Sequence, residues 1–330
     1  MQDGPRFDIT AITRQTSSYT APLDSNITHK TVDYSSFDSL VTAFTGQDAI
    51  VNCVTGGATQ YEPSKLIIDA AIAAGVEFFF ANEFVSNMES EQFKRLPESR
   101  AGAKVRIRAY LEGLGKEGKI SWTSLNGGPF FDMCEYPHNY HIHKFAQVVL
   151  GDDSNTYAGL AKGPGGFDLA NRRARIYGMG ADAGNNPLFW TPLPTIALAA
   201  ANMLRNPEPV RNRPIYICSI PHLTQNVILA ALEGIYKTKF AVEYVDVKKI
   251  NENARIALER GEEIKAMKGL AVSNQFYAGD CGNDFSHLVE NETVGVEMTS
   301  VEDAIRDTVK RYGEDCKVVE SMFIVEPCEV

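Results

Sequence analysis

GVEFFFANEFVSNM (residues 75–88), AGAKVRIRAYLE (101–112) and ISWTSLNGGPFFDM (120–133) decide the fold. The first opens with a glycine and a nearly continuous apolar run, the pattern of a strand buried on both faces. A polar spacer follows, and the second stretch has a helical pattern that carries Lys104. The third is a further strand, ending in the turn Asn126-Gly127-Gly128. Strand, loop, helix and strand in that order predict neighbouring parallel strands joined by a right-handed crossover.

Working outward, residues 63–74 (PSKLIIDAAIAA) predict a helix with proline in its first turn and Gly75 at its stop. Before it, DAIVNCVT (48–55) reads as a strand buried on both faces, and SSFDSLVTAF (35–44) as a helix behind a serine cap. FDITAIT (7–13) and ITHKTVDY (27–34) predict two earlier strands, ending at Arg14 and near Val32-Asp33. The repeat of strand, loop and helix indicates an α/β protein with a doubly wound parallel sheet. Such sheets bind ligands outside the carboxyl ends of their strands. Arg14, Asp33, Thr55, Gly56, Gly57, Asn82, Asn126 and Gly128 fall at those ends.

Downstream of residue 133 the pattern is lost over a long stretch, then resumes. ARIYGM, PIYICS and FAVEYVDV predict strands; PTIALAAANML, TQNVILAALEGI, residues 248–260 and VEDAIRDTVKRYG predict helices. We expect a dinucleotide-binding part over residues 1–135 and a smaller α+β substrate part over 136–330. Strands at about 174–219 are expected to return to the first sheet.

The 330 residues carry a formal charge of -10, which argues against attraction to nucleic acid or anionic lipid. There is no uncharged apolar run long enough to span a membrane, and the amino terminus lacks the features of a secretory signal. Six cysteines without a C-x-x-C pair fit reduced thiols, and a cytoplasmic location is expected.

Lys104 is the leading candidate for chemistry, because an amine desolvated near the sheet edge can exchange a proton close to neutral pH. Arg14, with Thr16 and Ser17 just after it, suits the 2′-phosphate of NADP. Other patterns carry less. Tyr61/Lys65 and Tyr244/Lys248 match Tyr-x-x-x-Lys in the wrong context, and the glycines of residues 159–166 and 178–184 do not lie between a strand and a helix. His138, His141 and His143 have no cysteine pair to complete a zinc set, so no metal is expected.

Together ITRQTSS (12–18), VDYSSFDSL (32–40), residues 66–84, Lys104 with Arg108, Leu111 and Glu112, NGGPFFD (126–132) and SIPHLTQNVILAALE (219–233) resemble the fungal branch of the NmrA-like and isoflavone reductase-like family. These are atypical members of the short-chain dehydrogenase superfamily. The resemblance implies a Rossmann NADP(H)-binding domain, Arg14 at the 2′-phosphate and Thr55, Gly56 and Gly57 along the dinucleotide. It implies Lys104 as the catalytic lysine and Asn126 to Phe130 near the nicotinamide and substrate, with Phe130 and Phe131 the expected substrate residues. Reduction of a small aromatic or polyketide-like metabolite, in some members within secondary metabolism, is the activity implied. The family also includes regulatory proteins that sense NADP(H) without turnover.

Three departures stand out. The family's Ser-Glu-Phe-Gly is here Asn82-Glu83-Phe84-Val85. The family's opening strand and G-x-x-G-x-x-G loop, roughly 25 residues, are expected to be missing. That would leave the strands 7–13 and 48–55 without a partner between them and imply a truncated, degenerate or inactive copy. Residues 136–158 also form a longer connection than the family uses.

Overall fold

The computed structural model describes residues 7–15, 17, 19, 27–54, 60–97, 102–132, 165–313 and 318–330, and the structural statements below concern these. The first half runs β1 (Thr10–Arg14), β2 (Thr28–Val32), α1 (Phe37–Phe44), β3 (Ala49–Val51), α2 (Tyr61–Ala73), β4 (Phe78–Phe80), α3 (Glu91–Lys94), α4 (Ala103–Lys116) and β5 (Ser121–Asn126). The second half runs β6 (Phe167–Asp168), β7 (Arg173–Tyr177), α5 (Leu193–Arg205), β8 (Arg213–Tyr216), α6 (Gln225–Tyr236), β9 (Ala241–Val245), α7 (Val247–Glu259), α8 (Glu263–Phe276), α9 (Val301–Tyr312) and α10 (Glu320–Phe323).

The central sheet is parallel, in the order β3-β4-β5-β8. Alternation along β4 explains its two covered faces. Phe79 enters one core with Leu40, Ile68, Leu111 and Trp122 from the α1, α2 and α4 side. Phe78 and Phe80 enter the other with Leu125, Ile196, Met203 and Ile215, where α5 packs. Each buried phenylalanine contributes roughly 1.5–3 kcal/mol. Local signals set the helix limits: Ser36 caps α1 by accepting from the Ser39 N–H, and Gly75 takes φ 79° where α2 stops.

β1 and β2 form a separate parallel pair. The Thr28 N–H donates to the Ile9 carbonyl, so alternation turns the Ile12 carbonyl toward the other edge of β1. There the Tyr34 hydroxyl donates to it at 3.0 Å. β3 is a three-residue strand whose Val51 is 40% exposed, so the expectation that it is buried on both faces does not hold. Its pairing is with β4 alone among the described strands, which leaves the other edge without that cover.

Of the strands near 174–219, β8 joins the central sheet beside β5, whereas β7 does not. β7 pairs antiparallel with β6 and parallel with β9 in a second sheet. Gln225 helps to hold it there, accepting from the Tyr177 N–H (2.9 Å) and donating to the carbonyls of Gly165 (2.8 Å) and Arg175 (3.1 Å). A core of Tyr177, Trp190, Ile228, Phe276 and Ile305 lies against this sheet. Among the described residues no helix is long and apolar enough to cross a membrane.

Candidate active site

The carboxyl end of β4 leads into Asn82, Glu83 and Phe84, which ride on the neighbouring strand through Ala81 N–H to Thr123 carbonyl (2.8 Å) and Phe84 N–H to Leu125 carbonyl (3.1 Å). Phe84 adopts φ 37°, a backbone conformation costly for an aromatic residue, by about 1–3 kcal/mol. Its ring stacks on Phe80 at 5.7 Å. Gly102 lets α4 start close against the turn that follows α3, since a Cβ there would lie 2.4 Å from the Leu96 carbonyl oxygen. The inner face of α4 then presents Lys104 and, one turn on, Arg108, both buried.

Lys104 Nζ donates to the Asn82 carbonyl (2.7 Å), the Glu83 carbonyl (2.8 Å) and Asn82 Oδ1 (3.2 Å). Burial pulls its pKa down to about 8, with Glu83 and Cys53 opposing the shift. Its place at a helix N-terminus works in the same direction as burial. Asn82 also donates from Nδ2 to the Val54 carbonyl, tying the end of β3 to the lysine.

Glu83 is 2% exposed and grips Arg108 twice, at 3.0 Å from Nε and again from a terminal nitrogen. Burial raises its pKa, but the Arg108 guanidinium more than compensates and holds the carboxyl below its ordinary value. Arg108 continues to the Tyr216 hydroxyl at 3.2 Å, so the pair joins the ends of β4 and β8. Asn126, the last residue of β5, donates from Nδ2 to Glu83 Oε2 at 3.1 Å and to Ser124 Oγ at 3.4 Å. Its Oδ1 is buried without a partner, a deficit of about 1–3 kcal/mol.

The structure therefore brings Asn82, Lys104 and Asn126 together. Gly128 joins them through its N–H to the Val85 carbonyl (3.1 Å) and adopts φ 69°. Phe130 is half-buried, while Phe131 is fully buried in the core of the second sheet and packs there instead of lining an open site. Arg14 and Asp33 sit at the ends of β1 and β2. Asp33 Oδ1 accepts from the Ser35 N–H (2.9 Å) and hydroxyl (2.6 Å), bonds that hold its carboxyl below the ordinary value and close the turn into α1. Ser17 Oγ accepts from the Tyr19 N–H at 3.1 Å. Thr16, Thr55, Gly56, Gly57 and the three histidines at 138, 141 and 143 lie outside the described residues.

Sequence reasoning did not single out Glu83, Arg108 or Tyr216 for a role. An Arg four residues after Lys on one helix face was the available signal. Asn283 was also missed: it is fully buried beside residues that touch the loop after β4, and neither atom of its amide has a partner. Among the described residues no cluster of three or more His, Cys, Asp or Glu is placed to hold a metal ion.

A doubly wound parallel sheet with a buried lysine at its carboxyl edge is the framework of a dinucleotide-dependent oxidoreductase. Residues 1–144 match the NAD(P)H-binding family. Oxidoreductase aprR of Aspergillus flavus is 30% identical over 260 residues, covering 78% of this chain and 74% of that protein. An isoflavone reductase has a similar structure, with a TM-score of 0.57 at 17% identity over 93% of this chain and 89% of the other. AtPrR2, solved with NADP+ and (+)pinoresinol, gives 0.58 at 17% identity over 86% and 82%. The chain belongs to a family of NAD(P)H-binding oxidoreductases that includes aprR, and it shares the fold of isoflavone reductase.

Proposed function

We propose that the protein is an NADPH-dependent reductase of a small aromatic or polyketide-like metabolite, with Lys104 as its proton donor or relay. The observation that carries this reading is a buried ammonium with a pKa near 8, fixed at the carboxyl edge between Asn82 and Glu83. The residues fit a nicotinamide dinucleotide: Asn126 Oδ1 is an orphaned acceptor at the same edge, and Arg14 stands at the end of β1. When bound, that cofactor supplies a hydride to an activated carbonyl or conjugated alkene. Lys104 supplies the matching proton to the oxygen or carbon that gains the electron pair, and the amine is reprotonated from solvent. Its weakest contact, to Asn82 Oδ1, is the one released to reach the substrate. Arg14 would select the phosphorylated cofactor through a charge-assisted bond.

One observation favours a second reading. All three Lys104 protons are already spent on protein acceptors, which suits a lysine that holds the loop in a protein that senses NADP(H) without turnover. NADPH consumption with a panel of quinones, enones and aromatic ketones separates the two. The reductase reading expects turnover by the native protein, and NADPH binding without turnover by Lys104→Met. Full rate in that variant removes Lys104 from the mechanism, and binding without consumption across the panel favours the sensor. Arg14→Gln should weaken NADPH by about 10-fold while leaving NADH unchanged.

A further inference from the structure

We propose that the cleft bounded by α3, α7 and α8 binds a small monocarboxylate with an apolar body. Arg95 and Arg255 take the carboxylate, and Leu96, Leu258 and Leu270 take the body. The site is built without Lys104 or its neighbours and does not depend on the reductase reading.

The cleft has a volume of about 240 Å³, near the lower limit of small-molecule sites (roughly 300–1,000 Å³), so it suits a compact ligand. Leu96, Leu258 and Leu270 line it, packed on Ala254, Ala257 and Ala266. Asp280 lies on the polar side, with 14% of its side chain exposed. It accepts from Arg95 at 3.0 Å, from Arg255 at 3.2 Å and from Asn251 at 3.0 Å. Burial raises its pKa, but Asn251 and the two guanidiniums outweigh it and hold the carboxyl below its ordinary value.

One charged carboxylate thereby keeps together two guanidiniums that would otherwise repel each other. Each arginine gives Asp280 one terminal nitrogen, and Arg95 gives its Nε to the Glu91 carbonyl at 3.1 Å. The other terminal nitrogen of each has no partner among the described residues, and the two side chains remain 47% and 45% exposed at the cleft. A ligand carboxylate accepts charge-assisted bonds from the nitrogens that Asp280 leaves over. Glu259 adds a negative charge to the lining, which favours a singly charged anion over a phosphate dianion.

Calorimetric titration of the full chain with 3-phenylpropanoate, 3-phenylpropanamide and acetate tests the assignment. The native protein should bind 3-phenylpropanoate about 10-fold more tightly than the amide, which lacks the charge, or acetate, which lacks the apolar body. Arg255→Gln should bring the affinity for 3-phenylpropanoate down to that for the amide and leave the amide unchanged. Arg211→Gln, which removes an exposed guanidinium elsewhere, should bind like the native protein. No binding of 3-phenylpropanoate at millimolar concentration, or equal affinity for acid and amide, would overturn the proposal in the native protein alone, whether or not the variants fold. Acetate binding as tightly would mean an adventitious ion only, and full affinity in a folded Arg255→Gln protein would place the anion elsewhere; either result sinks the site. None of these readouts involves NADPH, so their failure leaves the reductase reading intact.

Discussion

Replacing Arg108 by methionine tests the polar cluster at its most sensitive point. The substitution keeps a long apolar side chain but removes both contacts to the Glu83 carboxylate and the bond to Tyr216. Glu83, with 3% of its side chain exposed, keeps Asn126 as a donor but loses its counter-charge. Breaking one half of a buried pair in this way costs about 3–5 kcal/mol. A double variant, Glu83→Gln with Arg108→Met, removes the stranded charge and should stand within about 1–2 kcal/mol of the native protein, recovering about 1–4 kcal/mol of the loss in Arg108→Met.

The pH dependence carries a sign that can be checked separately. In the native protein burial pushes the Glu83 pKa up, but Arg108 outweighs it, so the folded value lies below the ordinary 4.5. The pair's stabilisation is therefore complete above that ordinary value and fades as pH falls through the folded value. In Arg108→Met burial acts without its main opponent, with only the Ser124 and Asn126 hydrogen bonds left against it, and the folded pKa rises, so the penalty is largest at high pH and is relieved as the carboxyl protonates. Urea unfolding followed by the fluorescence of Trp122 and Trp190, both buried, reads the difference. Arg108→Met should be further from the native protein at pH 8 than at pH 5. A single variant within about 1 kcal/mol of native at pH 8, or a double variant equal to the sum of the singles, would refute the reasoning.

Other tests reach different parts of the molecule. If the Lys104 ammonium is the acid, kcat with a reducible substrate should fall as pH rises through about 8, and Lys104→Met should be slower by about 100-fold or more with no such inflection. Because burial lowers the folded pKa of Lys104 below its ordinary 10.5, the native protein should gain stability as pH rises from about 8 toward 10.5, and the methionine variant should lack this gain in urea unfolding. Gly128→Ala places a Cβ 1.6 Å from the Phe189 carbonyl oxygen at φ 69°. A loss of about 2–4 kcal/mol in the unfolding free energy is expected from strain plus overpacking. Gln225→Leu strands the Tyr177 N–H and two carbonyls of the second sheet. It should cost about 2–4 kcal/mol and speed amide exchange at Tyr177.

Much of this architecture is legible in the sequence because its signals are local. Ser36, Gly75 and the apolar spacing of α1, α2 and α4 mark helix limits without reference to distant residues. Lys104 also follows from local order, as a helix residue after a buried strand. Sheet membership is another matter. The strand at Arg173–Tyr177 reads like its neighbours, yet Gln225 and the β9 partner draw it into a second sheet, and both lie far along the chain. α8 went unread because its apolar residues do not form one stripe; Gly269 instead allows close packing, with a Cβ there only 2.8 Å from that of Ala254. The Glu83–Arg108 pair joins common residue types 25 positions apart, and only the crossover from β4 to α4 makes them neighbours.

The loop after β4 couples these features energetically. Phe84 is kept in its unfavourable conformation by the Phe84 N–H bond to Leu125, the Gly128 N–H bond to Val85 and the Lys104 contacts to Asn82 and Glu83. The last of these depends on the lysine's charge. As an ammonium it has three protons for three acceptors; as a neutral amine it has two, and one acceptor must be given up. The longest contact, to Asn82 Oδ1, is the one to yield, because the carbonyl bonds are shorter and their oxygens are fixed by the backbone. Asn82 also holds the Val54 carbonyl at the end of β3. Loss of a proton from Lys104 is therefore felt first at the junction between β3 and β4, on the side of the sheet where the dinucleotide is expected, while the Glu83–Arg108 pair keeps the β5 and β8 side in place.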